Sequence, residues 1–440
     1  MRLAGWGRYP LVETEIFRPK TIEQLRDMMA LCPSFVGRGA GLAYGDCAVN
    51  DVATLEMLSF NRIMKFDEEE GVLVAEAGVT LDEIIRLVLP RGWFPAVVPG
   101  TQGVTLGGMI AADVHGKNHR TRGSFRQSVE WMDLMGNDGV VRRCSRNEES
   151  MLFDFSIGGM GLTGIIVRAA IRLRTVETGW MICNKIVTKN LSETLSHFEN
   201  AQDAEYCVAW VDALAGDGTV GRSVIFVGDH AAWREVENKA VVPYPFTLKK
   251  KWSVPSFRSK VVPGRVGMRA LNALYYMRNQ FGSDRHLISV DDYFFPLDKI
   301  RNWNRVYGKA GFMQYQCVIP LENAEAGLSE LLIEASKADK GVSLAVLKRF
   351  GEEVGALSFP MEGYSIAFDV AFSNQSLRLM ELFDEIVIRY GGRIYLAKDS
   401  RMSRSAFRIS DRRSDRFIDE RKRRGWDLRL ASCLSRRLGL

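Results

Sequence analysis

The sequence predicts an α+β protein in two parts, on three observations. Glycine-rich loops alternate with short strand and helix patterns through the first 165 residues. Glycine thins after about residue 180, where longer alternating strands with aromatics begin. Two late helical segments then sit between strands, as in a sheet with helices on one face. A chain of 440 residues divides into two or three domains at roughly 150 residues each. With 46% apolar and 25% charged residues, wholesale disorder is excluded. No run reaches 18 apolar residues, which excludes a membrane-crossing helix read from sequence. Residues 1–20 lack the apolar stretch of a secretory signal. Seven cysteines are scattered without a C-x-x-C pair, so neither a zinc module nor a disulfide scaffold is expected. These features together predict a cytoplasmic protein with no metal site.

The elements follow from local chemistry. Thr21 precedes Ile22, Leu25, Met28 and Met29 at helical spacing, a capped amphipathic helix. Ser34–Val36 reads as a short strand feeding the loop 37–46 (GRGAGLAYGD). Residues 72–78 read as a strand, and Thr80 caps a helix that Pro90 and Gly92 end. A second glycine-rich stretch runs from Pro99 to Gly123. Residues 132–142 read as a hairpin around Asp138-Gly139. A third cluster, Gly158–Gly164, precedes a strand at Ile165–Arg174. In the second part, strands are predicted at 206–212, 223–227, 312–319 and 365–370, with helices at 324–338 and 376–390. Residues 241–265, with four prolines and Lys249–Lys251, read as a long mobile surface loop. From Arg401 to Leu440, thirteen Lys/Arg stand against five Asp/Glu, which reads as an arginine-rich solvated helix or, alternatively, as a contact for anionic lipid.

Glycine lets backbone amides converge on an anion with no Cβ in the way. Two such loops facing each other can hold a pyrophosphate, although none of the three is a Rossmann fingerprint or a P-loop. Residues 37–46, 99–119 (PGTQGVTLGGMIAADVHGKNH) and 161–166 (GLTGII) resemble the three FAD-binding loops of the vanillyl-alcohol-oxidase, or PCMH-type, flavoproteins. The strings HGKNH (115–119), NRVYG (304–308), QYQ (314–316), LSFP (357–360) and AKDSR (397–401) narrow the resemblance to the decaprenylphosphoryl-β-D-ribose 2′-oxidase family. That resemblance covers nearly the whole chain.

It implies a two-subdomain FAD-binding domain, residues 1–179 and 393–440, around an inserted substrate domain, 180–392, built on an antiparallel sheet flanked by helices. It implies FAD contacts at Arg38, Gly39, Ala40, Gly41, Leu42, Ala43, Tyr44, Gly100, Thr105, Gly107, Gly108, Ala112, His115, Ile166 and Tyr395. Leu42 stands where covalent relatives carry a flavin-linking histidine, so the FAD is expected to be non-covalent. Lys398, Tyr44 and His115 match catalytic-site positions, and Lys398 with a lowered pKa could accept a hydroxyl proton. By residue type alone, Lys398 reads first as a surface lysine paired with Asp399, a reading that the resemblance reverses, and a core histidine competes with a site role for His115. Substrate contacts are implied at Lys117, Gln314, Gln316, Trp210, Phe294, Ser365 and Ala367. Gln314 and Gln316 alternate on one strand, so both amides meet one face, as a polyhydroxylated sugar requires. At Phe294, Ser365 and Ala367 the chain departs from the family's tyrosine, asparagine and reactive cysteine. The implied activity is oxidation of the C2 hydroxyl of a polyprenyl-phosphate ribose. An NAD(P)H-dependent short-chain reductase would complete the epimerisation, and the lipid tail implies contact with a membrane surface. The alternatives are an oxidase of a soluble sugar, alditol or aldonolactone, and a non-catalytic lipid-phosphate-sugar binding protein. No base-stacking motif supports nucleic acid as a partner.

Overall fold

The computed structural model describes residues 1–440 except 202, 217, 240–241, 247–251, 256–263, 282–284, 339–341 and 353–354. The segment 241–265, expected as a mobile loop, lies in large part outside the described residues, its lysine run included.

The amino-terminal part holds two main sheets, besides a short antiparallel pairing of Arg2–Leu3 with Val12–Glu13. Strands β1 (Glu15–Phe17), β2 (Phe35–Arg38) and β3 (Ala53–Glu56) form a parallel sheet with β3 in the centre. Helix α1 (Ile22–Leu31) crosses between β1 and β2, its first turn closed by Thr21 Oγ1 accepting from the Gln24 amide. The second sheet contains β4 (Ile63–Asp67), β5 (Val72–Glu76), β6 (Trp93–Pro95), β7 (Val129–Met135), β8 (Val141–Ser145) and β9 (Ile165–Thr175). Its order is β8-β7-β9-β5-β4, all antiparallel, with β6 beside the end of β9. Helix α2 (Leu81–Val88) begins in a capping box between Thr80 and Glu83 and buries Leu81, Ile84, Ile85 and Val88 against this sheet. Four such side chains contribute about 6–12 kcal/mol of gross burial energy, an upper bound.

The second part is built on one antiparallel sheet of eight described strands, beside a short parallel pairing of Trp252–Ser253 with Ile300–Arg301. These are β10 (Trp180–Thr188), β11 (Tyr206–Val211), β12 (Ser223–His230), β13 (Arg285–Ser289), β14 (Phe312–Ile319), β15 (Val342–Phe350), β16 (Gly363–Ala371) and β17 (Arg393–Ile394). The order is β13-β10-β12-β11-β15-β16-β14-β17. Helix α3 (Leu106–Ala111) belongs to the first part, and α4 (Arg265–Asn279), α5 (Ala324–Lys337) and α6 (Asn374–Arg389) to the second. The Phe383 ring of α6 packs on Tyr315 of β14 and Phe368 of β16, which fixes the covered face of the sheet. Residues one position away in each strand therefore point to the other face.

After β17 the chain returns to the first part. Leu430 pairs parallel with Phe35 at the edge of β2, the Phe35 amide donates to the Arg429 carbonyl, and the Ala431 amide to that of Phe35. Helices α7 (Arg404–Ser410), α8 (Arg413–Arg423) and α9 (Cys433–Leu438) make up most of this segment. The solvated arginine-rich reading holds for the outer face of α8, where Arg416, Arg423 and, just past its end, Arg424 are exposed, but other arginines turn inward to satisfy carbonyls and carboxylates. Arg421 is 2% exposed and donates to the carbonyls of Leu162 and Leu430. Arg437 binds both Asp46 and Asp399 at 2.8 Å. Among the described residues, no helix is long and apolar enough to cross a membrane, and no group of His, Cys, Asp and Glu could hold a metal.

Candidate active site

A cavity of about 1120 Å³ lies between the glycine loops of the first part and the open face of the second sheet. Ligand pockets run to roughly 300–1,000 Å³, so this space is large enough for a dinucleotide. Every residue singled out from the sequence lines it.

On one side are the loops. Tyr395 Oη donates to the Ala112 carbonyl at 2.9 Å, tying β17 to the end of α3. A Cβ on Gly39 would strike the Thr105 side chain, so the first two loops approach each other through glycine. Thr105 Oγ1 also accepts from the Gly108 amide, closing the first turn of α3. The amides of Gly39, Ala40, Gly41, Leu42 and Ala43 donate to no protein acceptor among the described residues. Free N–H groups at a cavity wall need a partner from a ligand or water. Gly100 and Gly161 line the cavity with open space where a Cβ would stand. Ile166 forms part of the same wall. Arg38 lies beneath Gly41, its guanidinium on the carbonyls of Ala4 and Ala48. These features fit FAD: a run of unsatisfied donors for pyrophosphate, and an apolar slot beside it. Leu42, at the mouth of the first loop, offers no nucleophile or base for a covalent link.

Opposite stands the floor. In register across the sheet, Trp210 faces Val346, Val346 faces Ala367, and Ala367 faces Gln316. One pleat away, Leu344, Asp369 and Gln314 form a second row. Lys348 pairs with Ser365 in a third. Gln314 Nε2 donates to Asp369 Oδ1 at 2.5 Å. Gln316 Nε2 sits 2.9 Å from His115 Nε2 and 3.1 Å from Ser365 Oγ. Lys117 donates to the Tyr293 carbonyl and lies 4.1 Å above that residue's ring. Phe294 is packed among Phe94, Tyr206 and Tyr293 and reaches the cavity from the core. Trp210 packs against Tyr275 of α4, ring centres 4.6 Å apart and planes tilted by 58°.

Lys398 joins the two sides. It follows β17 in a turn, and the Ala397 carbonyl before it accepts from the Tyr44 amide at 3.0 Å. Lys398 Nζ lies 3.9 Å from the centre of the Tyr44 ring. A Cβ on Gly45 would fall on the Asp399 carbonyl, so only glycine lets the first loop reach this turn. Asp399 does not pair with Lys398. Its carboxylate takes the amides of Arg401 and Met402 and the Arg437 guanidinium, which also holds Asp46.

Burial lowers the Lys398 pKa to about 7; Asp369 opposes this and Lys348 adds to it. Burial raises Asp369 to about 6, against the Gln314 bond and the Lys398 charge. Burial also lowers Lys117 to about 7 and Lys348 to about 8. His115 is pushed well below its ordinary value, chiefly by burial, so the imidazole is neutral. It sits against Phe350, Phe359 and Tyr395, as a core histidine would, while touching Gln316. Tyr44 is raised well above the usual phenol range by burial and stays protonated.

Sequence reasoning missed Lys348 and Asp369. Alternation held the signal: Leu344, Val346 and Lys348 share a face, as do Ser365, Ala367 and Asp369. It also missed Asp298, whose carboxylate accepts from Thr101 Oγ1 and the Gln102 amide, bridging the two parts at the rim.

Residues 14–145 match the FAD binding domain family. Decaprenylphosphoryl-beta-D-ribose oxidase of Mycolicibacterium smegmatis is 32% identical over all of this chain and 97% of its own length. An uncharacterized protein in the mprA 5′ region of Streptomyces coelicolor is 30% identical over 82% of this chain and its whole length. L-gulonolactone oxidase of Bos taurus matches at 24% over 45% of this chain and 47% of its own. The glycine-loop cavity and the full-length likeness agree, and the chain belongs to the family of FAD-dependent oxidoreductases acting on hydroxyl groups that includes decaprenylphosphoryl-β-D-ribose oxidase.

Proposed function

We propose that this protein oxidises the C2 hydroxyl of a polyprenyl-phosphate pentose, ribose being the first candidate, to the 2-keto sugar. The observation that carries the reading is the lysine with a pKa of about 7 facing a floor of amide side chains in one cavity with the FAD loops. The loop amides would hold FAD, which when bound would supply the acceptor for the hydride that leaves C2. The C2 hydroxyl proton passes to Lys398 Nζ, which near neutral pH is in part the free amine a general base must be. Asp369 then balances the ammonium so formed. Gln314 and Gln316 offer donors and acceptors to the remaining hydroxyls, their own orientation set by Asp369, His115 and Ser365. Lys117 and Lys348 supply positive charge for the phosphate. A separate NAD(P)H-dependent reductase, adding hydride to the other face of the ketone, would complete an epimerisation at C2. The lipid tail calls for work at a membrane surface.

A soluble alditol or aldonolactone as substrate is the second reading, favoured by the short side chains Ser365 and Ala367 on the floor and the partial likeness to L-gulonolactone oxidase. Anaerobic mixing of the yellow protein with lipid-linked and free pentoses separates the two by which of them bleaches the flavin. Lys398→Ala is expected to stay yellow and lose bleaching. An undiminished rate in that variant removes Lys398 from the reaction.

A further inference from the structure

Helix α4 is amphipathic the wrong way round for a helix facing water. Its inward residues are Met268, Asn272 and Tyr276, and two of these three make polar contacts: Asn272 Nδ2 donates to Asp212 at 2.8 Å, and Tyr276 Oη to the Thr188 carbonyl at 3.0 Å. Its outward residues include Val266, Leu271, Leu274 and Met277, and Phe281 follows the helix end. Val266 is 84% exposed, Leu274 59% and Phe281 75%. Soluble proteins scatter exposed apolar residues singly; a run along one helix marks a contact surface. The charge on the helix is all of one sign, with Arg265, Arg269 and Arg278 and no Asp or Glu between residues 265 and 281. Tyr275 on this helix packs against Trp210 and lines the cavity, and the exposed Leu297 and Ile300 line it too. Tyr275 therefore joins the helix to the wall of the site.

We propose that the outer face of α4 docks this protein on an anionic lipid bilayer, laying Leu271, Leu274, Met277 and Phe281 into the interface with the arginines at headgroup level. Apolar side chains flanked by arginines are the pattern of helices that lie in a membrane surface, and the positive charge complements anionic lipid. The inference deepens the lipid-linked reading above and rests on it for its purpose: the cavity mouth would face the layer that holds the polyprenyl tail. It also moves the expected lipid contact away from the carboxy-terminal segment, whose Arg421 and Arg437 are committed to internal partners.

The test is flotation of the flavin-loaded protein with phosphatidylcholine vesicles, with and without phosphatidylglycerol. The wild type is expected to float with the anionic vesicles, less as salt is raised. Leu274→Ser/Met277→Ser/Phe281→Ser should weaken this by about tenfold or more while keeping its flavin. Arg269→Gln/Arg278→Gln should lose the preference for phosphatidylglycerol. Failure of the wild type to float, or flotation of the triple variant at the wild-type level, overturns the proposal. So does sedimentation velocity showing that these apolar residues hold two copies of the chain together. Flavin reduction by a short-chain prenyl-phosphoryl ribose in detergent keeps the two readings apart. The triple variant should react there at the wild-type rate, whereas a wild type that does not react loses the substrate reading, with flotation still deciding the docking.

Discussion

Replacing Asp369 by Asn removes one charge from the site and little else. The Asn side chain keeps the oxygen that accepts from Gln314, so the floor retains its shape. The lost carboxylate is the group that favours the Lys398 ammonium. A single opposite charge at close range moves a pKa by about 1–3 units, and a cavity wide enough to hold water calls for the low end. The Lys398 pKa should then fall from about 7 to near 6, a change of about 1.4 kcal/mol. The sign follows from the role: a general base works only unprotonated, so the acid limb of the pH–rate profile moves to lower pH. Asp369 itself titrates at about 6, so the comparison is made at about pH 7, where it is ionised: the free-amine fraction there rises from about one half to about nine tenths. At high pH the weaker base should react about threefold more slowly. Lys348→Met removes a like charge and should move the limb the other way. The assay is single-turnover bleaching of the flavin under anaerobic conditions, from pH about 5 to about 9. An acid limb that stays in place in Asp369→Asn, or moves up, refutes the assignment of the titrating group to Lys398.

Three further outcomes are expected. Gly45→Ala drives a Cβ into the Asp399 carbonyl and should destabilise the holoprotein by about 3 kcal/mol or more, read as a fall in its melting temperature. Arg437→Met leaves Asp46 and Asp399 without the cation that bridges them; breaking such a pair costs about 3–5 kcal/mol when buried, and the reduction rate should drop with stability because the Lys398 turn loses its anchor. Acid precipitation should release all the flavin into the supernatant, since Leu42 offers no bonding atom; colour retained in the pellet contradicts this.

Local order was legible in the sequence because its causes are local. Thr21 and Thr80 announce helix starts by accepting from amides three residues on, and alternation in residues 312–319 sets Gln314 and Gln316 on one face whatever packs beside them. Glycine clusters point to close approach because few other residues permit it. The chain could not show by itself which side chains share a space. Lys348 and Asp369 are ordinary surface residues by type, and only the strand order β15-β16-β14 brings them to the floor opposite Lys398. The arginines after residue 401 resemble a solvated face until the return of Leu430 to Phe35 puts Arg421 inside and Arg437 between two acids. A pattern of side chains sets what each segment can bury, but electrostatic environment depends on neighbours distant in sequence, so the pKa values on which the chemistry turns were decided by tertiary structure alone.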